Sequence, residues 1–450
     1  MHGKPLNYRE AIAYLFNRLP MYQRVGKVAY KSNLDTTLAL DAHFDHPHRS
    51  FQSIHIAGTN GKGSVAHMLA SVLQKAGYRT GLYTSPHLVD FRERIRIDGS
   101  LIREKAVADF VGLHKATLES LAPSFFEMTV AMAFDYFARE KVDFAVVETG
   151  MGGRLDSTNI LLPLLTVITN IGMDHSQFLG DTLYKIAIEK AGIMKNGIPV
   201  VIGETQAEAS LIFNRQAREK GCPIVYADQV YRVAYSTRNL QDNQVIHLSV
   251  GAGEPTETGE TTGTMETDLL GLYQQKNIIT ALAAIEQLVE AGIDIPETAV
   301  REGLSKTAET TGLRGRWEVI GHNPLVVCDA GHNREGIREV VKQLRQTPWK
   351  KLRIVLGLVD DKDLSGLLRE LPAEAIYYFT QSSIPRAMDR EKLAAEGLRY
   401  GLYGKICPSP LKALEIALSE ADREDLVFVG GSTFLVADVL KDFAGLPSEA

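Results

Sequence analysis

Cysteine is scarce in this chain of 450 residues: three, at positions 222, 328 and 407, widely separated and odd in number. They fit neither a disulfide framework nor a zinc site, so a reducing, cytoplasmic setting is expected. Basic excess is missing as well. A formal charge of −6 does not support nucleic-acid binding, which calls for a basic stripe. Long apolar runs are absent, and ILLPLLTVI at 160–168 is far short of a membrane span. The start, MHGKPLNYREA, lacks the apolar stretch of a signal peptide. No tract is compositionally biased. What remains, 45% hydrophobic and 23% charged residues, is a globular composition too long for one ordinary core, and two domains are expected.

Short apolar runs alternate with amphipathic segments from residue 54 onward. IHIA (54–57), TGLYTS (80–85), DFAVVET (143–149), LTVITNI (165–171), PVVIG (199–203) and PIVYA (223–227) read as buried strands. Between them lie helical patterns such as 64–77, stopped by Gly77. Alternation of this kind predicts a parallel sheet covered on both faces. Residues 229–270 differ. VYRVAYS and QVIHLSV alternate, and GAGEPTETGETTGT is a polar loop, so an antiparallel hairpin with an exposed tip is expected there. A helix follows at 272–292, and after about residue 305 the strand–helix pattern resumes with PLVVCDAG (324–331), RIVLGLV (353–359), AIYYFT (375–380) and DLVFVGG (425–431). The segment KTAETTGLRGRWEVI between the halves is the natural linker. The fold class is α/β throughout, with a mainly parallel sheet and a small antiparallel part in the first half.

The stretch IHIAGTNGKGSVAHML (54–69) runs from strand through Gly58, Gly61 and Gly63 into a helix. Glycine is costly unless the backbone must turn sharply or approach a ligand. Backbone N–H groups at a helix start, with Lys62 beside them, make a phosphate cradle, and Ser64 can offer a hydroxyl to Mg²⁺. The loop is one residue shorter before Gly-Lys than G-x-x-x-x-G-K-[ST], with an extra glycine before the serine. A plain glycine-rich turn is the competing reading; strand, loop, Lys-Gly-Ser and helix together favour phosphate.

Ligands of open parallel sheets bind at the carboxyl ends of strands. Three such ends carry Ser85, Glu148 and His175. The carboxylate and hydroxyl suit Mg²⁺, while a histidine also admits Mn²⁺; alone, His175 reads as a structural loop residue. Lys190 falls on the apolar stripe of Leu183, Ile186, Ala187 and Met194, whereas Lys185 and Glu189 lie off it. Its periodicity favours a packed stem with the head snorkelling to water. The sharper reading is a desolvated amine of lowered pKa, open to carbamylation by CO₂ and hence to metal binding. In the second half, Asp329, His332 and Asn333 end a strand, and Arg314 and Arg316 precede them. Such an aspartate can hold ribose hydroxyls and such an arginine a phosphate. A solvated basic linker is an equal reading of the two arginines.

Together, HIAGTNGKGS (55–64), TSPHL (84–88), FFEMTVAMAF (125–134), VVETGMGGRLDSTNI (146–160), TNIGMDHSQFLGDTLYKIAIEKAGIMK (169–195), LRGRWE (313–318), CDAGHN (328–333) and GGSTFLVADVL (430–440) resemble the folylpolyglutamate synthase/dihydrofolate synthase family, a branch of the Mur ligase superfamily. The resemblance covers nearly the whole chain. It implies a P-loop ATPase domain over 1–306 and a Rossmann-like, glutamate-ligase domain over 307–450, with ATP held in the cleft. It implies ATP contacts from Thr59, Asn60, Gly61, Lys62, Gly63 and Ser64, with Asn277 at adenine, Arg316 at the phosphates and Asp329 at the ribose. Ser64, Ser85, Glu148 and His175 would hold Mg²⁺, and Lys190 would be carbamylated as ligand to a second Mg²⁺, which reverses the snorkelling preference; a potassium ion is a further expected cofactor. Ser124, Phe125, Phe126, Glu127, Arg154, Leu155 and Asp156 would lie near the pterin. Catalytic weight would rest on Lys62, Lys190, Arg316 and His332. Two departures stand out: Gly331 precedes His332 where the family often has D-x-A-H-N-P, and Tyr273-Gln274 replaces the usual H-Q.

The implied chemistry is ATP-dependent addition of L-glutamate to reduced folate, and also to 7,8-dihydropteroate, through an acyl phosphate. A folylpolyglutamate synthase without the second activity is the nearest alternative. A cell-wall Mur ligase is a more distant one, since only 57 residues precede Gly58, too few for its nucleotide-sugar domain. A non-catalytic nucleotide binder would have no need of Lys190, Glu148 or His332. The partners are small molecules, with neither nucleic acid nor membrane, and a monomer is expected.

Overall fold

The structure is a computed structural model that describes residues 6–20, 33–251, 263–360 and 364–443. The chain forms two compact units. The first comprises residues 1–87, 92–268 and 274–312, and the second 88–91, 269–273 and 313–450.

The first unit is built on an eight-stranded sheet: β1 (Gln52–Ala57), β2 (Thr80–Tyr83), β3 (Ile95–Ile97), β4 (Ser100–Leu101), β5 (Phe144–Glu148), β6 (Leu165–Ile168), β7 (Val200–Ile202) and β8 (Ile224–Tyr226), in the order β4-β3-β2-β5-β1-β6-β7-β8. Six strands run parallel, while β3 and β4 fold back as an antiparallel edge. The expected strand runs are all present; the first ends at Ala57 as read, whereas others end earlier, because Thr84 and Ser85, Thr169 to Ile171, and Gly203 have already left the ladder. The edge pair β3–β4 was not anticipated: at three and two residues it is too short for any period to register. PIVYA is only half-buried, as befits edge strand β8.

The helix Lys62–Lys75 buries every residue from Ser64 to Leu73. The helices Gln274–Glu290 and Glu297–Ser305 pack on it. Ser71 donates to the carbonyl of Gly303 at 2.7 Å, and a Cβ on Gly303 would lie 2.6 Å from the Val72 Cα, so the two helices cross nearly backbone to backbone. The segment after 230 forms three antiparallel strands rather than a hairpin: β9 (Tyr231–Arg238), β10 (Gln244–Val250) and β11 (Gly263–Thr267), paired β11-β10-β9. The turn of the β9–β10 hairpin is at 239–243. The polar stretch read as its tip instead joins β10 to β11, and its residues 252–262 lie outside the described residues.

The second unit carries β12 (Glu318–His322), β13 (Leu325–Asp329), β14 (Leu352–Leu356), β15 (Ile376–Phe379), β16 (Tyr403–Ile406) and β17 (Leu426–Gly430), in the order β12-β13-β17-β14-β15-β16. All neighbours are parallel except β12 against β13. Alternate residues of β13 and β14, Val327, Ile354 and Leu356 on one side and Val326, Cys328 and Val355 on the other, enter two separate cores. Burial on both faces explains why those strands read as unbroken apolar runs. The segment taken as a linker is structured. Thr307–Thr311 is helical, Trp317 is buried, and Glu318–His322 is strand β12; the change of unit falls after Gly312. All three cysteines are free and buried. Among the described residues no helix is long and apolar enough to cross a membrane.

Candidate active site

The sheet order decides which strand ends can act together. Strand β1 lies between β5 and β6, with β2 next to β5. The loops bearing Glu148, His175 and Ser85 therefore leave the sheet beside the glycine-rich loop that follows β1. The chain departs from β1 toward β2 on one side and from β6 toward β7 on the other. That divergence is the switch point at which α/β sheets bind ligands.

The loop itself is held from β6. Thr59 N donates to the Asn170 carbonyl at 2.9 Å, Asn60 N to Asn170 Oδ1 at 2.9 Å, and Thr169 Oγ1 to the Asn60 carbonyl at 2.6 Å. Thr59 Oγ1 in turn accepts from Gly172 N at 2.9 Å. Two glycines are obligatory. A Cβ on Gly58 would lie 1.8 Å from Thr169 Oγ1, and one on Gly61 would lie 2.2 Å from Asn277 Oδ1. Gly61 also sits at φ 84° as the residue preceding the helix, a conformation that costs other residues about 1–2 kcal/mol. Asn277, expected at adenine, is steered by Gln274, whose Oε1 accepts from its Nδ2 at 2.7 Å. The Nε2 of Gln274 is buried and has no partner among the described residues. A donor left this way fits a site meant to receive a ligand acceptor.

Lys62 opens the helix, with Nζ 3.2 Å from the Thr59 carbonyl and 3.9 Å from Glu148 Oε1. Glu148 is buried, and its Oε2 accepts from Ser85 N at 3.2 Å. Ser64 lies buried in the first turn. An ammonium and a buried carboxylate facing each other across a helix N-terminus suit a phosphate–divalent-metal pair: the lysine and the backbone N–H groups could serve an anion, and the carboxylate a cation. His175 stands at φ 51° with Nε2 3.8 Å from Asp174 Oδ2. Left-handed backbone at a bulky side chain is strain of the sort that clusters at functional loops.

Lys190 does not snorkel. It is 4% exposed, and its Nζ donates to the Gly58 carbonyl at 2.6 Å. Burial, then the charge of Lys62, pull its pKa from 10.5 to about 7, against the opposing pull of Asp174 and Asp156. The helix carrying it, Leu183–Ala191, is capped by the Thr182 hydroxyl and stops before Met194, so the outer end of the expected stripe is loop.

The residues expected near the pterin separate by environment. Ser124 and Glu127 form a capping box: Ser124 Oγ accepts from Glu127 N at 3.2 Å, and Glu127 Oε2 accepts from Ser124 N at 2.7 Å. This box starts the helix Phe125–Arg139. Phe125 lies under the Arg94 guanidinium, 5.2 Å from its ring centroid, and the Phe126 ring packs where a Gly150 side chain would sit. Asp156 accepts four bonds: Gly150 N and Met151 N at 2.9 Å each, Thr158 N at 3.0 Å and Thr158 Oγ1 at 2.5 Å. With every lone pair engaged, it shapes the loop TGMGG. Arg154 is half-exposed and pairs with Glu189 at 2.9 Å. Leu155, between them, is half-buried.

The second unit holds Asp329 at the end of β13. Its Oδ2 accepts from the Tyr273 hydroxyl at 2.5 Å and from Trp317 N at 2.8 Å, and its Oδ1 accepts from Gly331 N at 2.7 Å. Burial raises its pKa, opposed by the Tyr273 bond and by Arg316. A Cβ at position 331 would come within 3.0 Å of Asp329 Oδ1, so the glycine that departs from the family pattern relieves crowding at this carboxylate. His332 Nδ1 lies 3.0 Å from the Ala330 carbonyl, and Asn333 caps the next helix through Gly336 N at 2.8 Å. Arg314 pairs with Glu318 at 2.7 Å, whereas Arg316 is half-buried and its Nη1 contacts the Gly315 carbonyl.

Sequence reasoning passed over Thr169 and Asn170, which fix the glycine-rich loop, because both fell inside an apolar run. A polar pair closing such a run was the available signal. It also passed over Arg94, buried with Nε 2.7 Å from His87 Nδ1, since burial of an arginine has no local signature.

Comparison with known proteins follows the same two units. The Mur ligase middle domain matches residues 56–285, and the Mur ligase glutamate ligase domain matches 315–433. The dihydrofolate synthase/folylpolyglutamate synthase of Bacillus subtilis (strain 168) is 33% identical over 96% of this chain and 98% of its own length. A solved structure of Escherichia coli FolC in complex with DHPP and ADP superposes with a TM-score of 0.83 at 27% identity, covering 98% of each chain. The bifunctional folylpolyglutamate synthase/dihydrofolate synthase from Yersinia pestis, complexed with AMPPNP and Mn ion, gives 0.81 at 28% identity, covering 97% of this chain and 98% of that one.

Proposed function

Because the chain belongs to the dihydrofolate synthase/folylpolyglutamate synthase family of Mur ligases, we propose that it joins L-glutamate both to the tail of reduced folates and to 7,8-dihydropteroate. It is an ATP-dependent acid–amino-acid ligase that binds a divalent metal. In the proposed reaction the substrate carboxylate attacks the γ-phosphorus of ATP, giving an acyl phosphate and ADP. The glutamate amine then attacks the acyl carbon, phosphate leaves, and the amine proton passes to solvent.

The observation that carries this reading is the grouping of Lys62, Glu148 and Lys190 around one glycine-rich loop. Little of the chemistry needs a protein nucleophile, so positioning and charge neutralisation dominate. Thr59, Asn60, Gly61, Gly63 and Ser64 would present the loop to the phosphates, Lys62 would balance their charge, and Asn277 would meet the adenine. Ser64, Ser85, Glu148 and His175 suit one Mg²⁺. Lys190, carbamylated, would supply an anionic oxygen for a second, and a pKa lowered to about 7 makes neutral amine available to take up CO₂ at neutral pH. Bound metal would neutralise the transferring phosphoryl group. Residues 1–306 serve as the ATP-binding part and 307–450 as the ligase part, in which Arg316 reaches phosphate, Asp329 the ribose and His332 the phosphoryl group or incoming glutamate. Phe125 and Phe126 offer the apolar surface for the pterin, and Arg154 and Leu155 border it, while Ser124, Glu127 and Asp156 hold that surface in shape. The enzyme works as a cytoplasmic monomer, with a potassium ion as a further cofactor.

Mass spectrometry with Mg-ATP and L-glutamate tests this. A gain of one glutamate on both dihydropteroate and a reduced folate monoglutamate is expected. A gain on the folate alone reduces the proposal to a folylpolyglutamate synthase, and a gain on neither refutes it.

A further inference from the structure

Outside the nucleotide site, one cluster of metal-ligating side chains lies at the entry to β1. We propose that Asp41, His46 and His48 form a binding site for a transition-metal dication of the Zn²⁺ class, distinct from the Mg²⁺ of the ligase reaction. One ligand atom from each of the three lies within 4.8 Å of the others. His46 Nδ1 stands 2.5 Å from Asp41 Oδ2, and His48 Nδ1 stands 2.6 Å from Asp41 Oδ1.

Asp41 closes the helix Asp35–His43 and its side chain is 4% exposed. A buried carboxylate is costly without a cation. Among the described residues its ion-pairing partners are these two imidazoles, and neither a lysine nor an arginine pairs with it. The chain is bent to bring them there. Asp45 and His46 take consecutive left-handed conformations, at φ 58° and 55°, and His46 N donates to the Asp41 carbonyl at 2.8 Å. Pro47 then starts a single 3₁₀ turn that returns His48 to the same carboxylate. Left-handed backbone is unfavourable for residues other than glycine, so two in succession need a compensating interaction at their end.

Two imidazole nitrogens and one carboxylate are an N₂O donor set suited to Zn²⁺, Co²⁺ or Ni²⁺ and unlike the all-oxygen shell of Mg²⁺. Each ring would coordinate through the Nδ1 lone pair as the neutral tautomer that carries its one proton on Nε2; water would complete a tetrahedral shell. The helix Asp35–His43 and the turn Pro47–Arg49 both pack on the helix Phe125–Arg139. An ion here would pin the chain four residues before the strand that leads into the phosphate loop.

The test uses the full chain, stripped with chelator and dialysed against Zn²⁺ in excess Mg²⁺ without nucleotide. One Zn²⁺ per chain should be retained, with a rise in melting temperature. His46→Ala and His48→Ala should each weaken Zn²⁺ binding by more than the roughly 10–100-fold that loss of an outer partner costs, and should abolish the rise. His43→Ala, altering a neighbouring ring that faces His114, should retain both. His46 is 38% exposed, so its variant keeps the fold, and circular dichroism confirms it. No Zn²⁺ retained by the wild type, retention unchanged in both His46→Ala and His48→Ala, or loss that follows His43→Ala would each overturn the assignment.

Discussion

Lys190 permits the strongest quantitative test, because its burial converts directly into a dependence of stability on pH. The amine carries its proton up to pH 10.5 in the unfolded chain and releases it near pH 7 in the folded one. Between those values the unfolded state binds more protons, so stability rises with pH, by about 1.4 kcal/mol per pH unit at full slope. The whole window amounts to about 5 kcal/mol, and between about pH 7.5 and about pH 9.5 the gain is about 2–3 kcal/mol. Lys190→Met keeps an unbranched chain one atom shorter and removes the titrating amine. Its stability should lack that increment, whatever other groups add to both proteins. Urea unfolding of chelated, CO₂-free wild type and variant, followed by circular dichroism, gives the difference of slopes. Trp317 and Trp349 both belong to the second unit, so tryptophan fluorescence marks that unit's transition and leaves the remaining signal to the first. Added bicarbonate should stabilise the wild type further and leave Lys190→Met unchanged, since CO₂ binds only the folded, neutral amine. Equal pH slopes in wild type and Lys190→Met would refute the burial argument, and with it the reason for expecting a carbamate.

Three further outcomes are expected. Gly61→Ala places a Cβ 2.2 Å from Asn277 Oδ1 at positive φ; it should destabilise by about 1–2 kcal/mol and weaken AMPPNP binding at least tenfold, read by calorimetry, whereas Gly77→Ala, with open space at its Cβ, should leave nucleotide affinity intact. Asp156→Asn turns an amide toward the donors of Gly150, Met151 and Thr158; a loss of about 3 kcal/mol in urea unfolding is expected, and a loss under 1 kcal/mol would contradict its role as scaffold of that loop. Tyr273→Phe removes one donor from Asp329, which should cost about 1.5–3 kcal/mol, visible in the fluorescence of Trp317, whose backbone N–H donates to that same oxygen. Unchanged unfolding of the second unit would mean the tyrosine is dispensable there.

Local pattern carried the fold as far as local pattern reaches. Strands buried on both faces, such as β5 and β14, announce themselves as apolar runs. Edge strands are half-wet and short, so β16 (YGKI), exposed at every position, and β12 (EVIGH) gave no comparable signal. The catalytic candidates were legible for a related reason: a glycine-rich turn with lysine and serine is a local feature, and polar residues terminating apolar strands are local too. What could not be read was the order of the strands, and that order alone brings the ends of β5 and β6 beside β1 and that of β2 next to β5. The same limit explains Asp156. Its motif placed it among the residues expected near substrate, but the four donors that occupy it become apparent only when the loop is folded.

Lys190 shows the limit and its remedy in a single residue. Helical periodicity placed it correctly among apolar positions, and a flexible stem then made snorkelling the cheaper outcome. The deciding fact is the carbonyl of Gly58, 132 residues away in sequence. It holds the amine inside, where Lys62 and the low-dielectric surroundings oppose its charge. A glycine is needed at that carbonyl because Thr169 leaves no room for a Cβ. The residue that lets the loop pack closely on Thr169 is therefore also the one that turns a carbonyl toward the lysine, and the two features read separately from the sequence are parts of one arrangement.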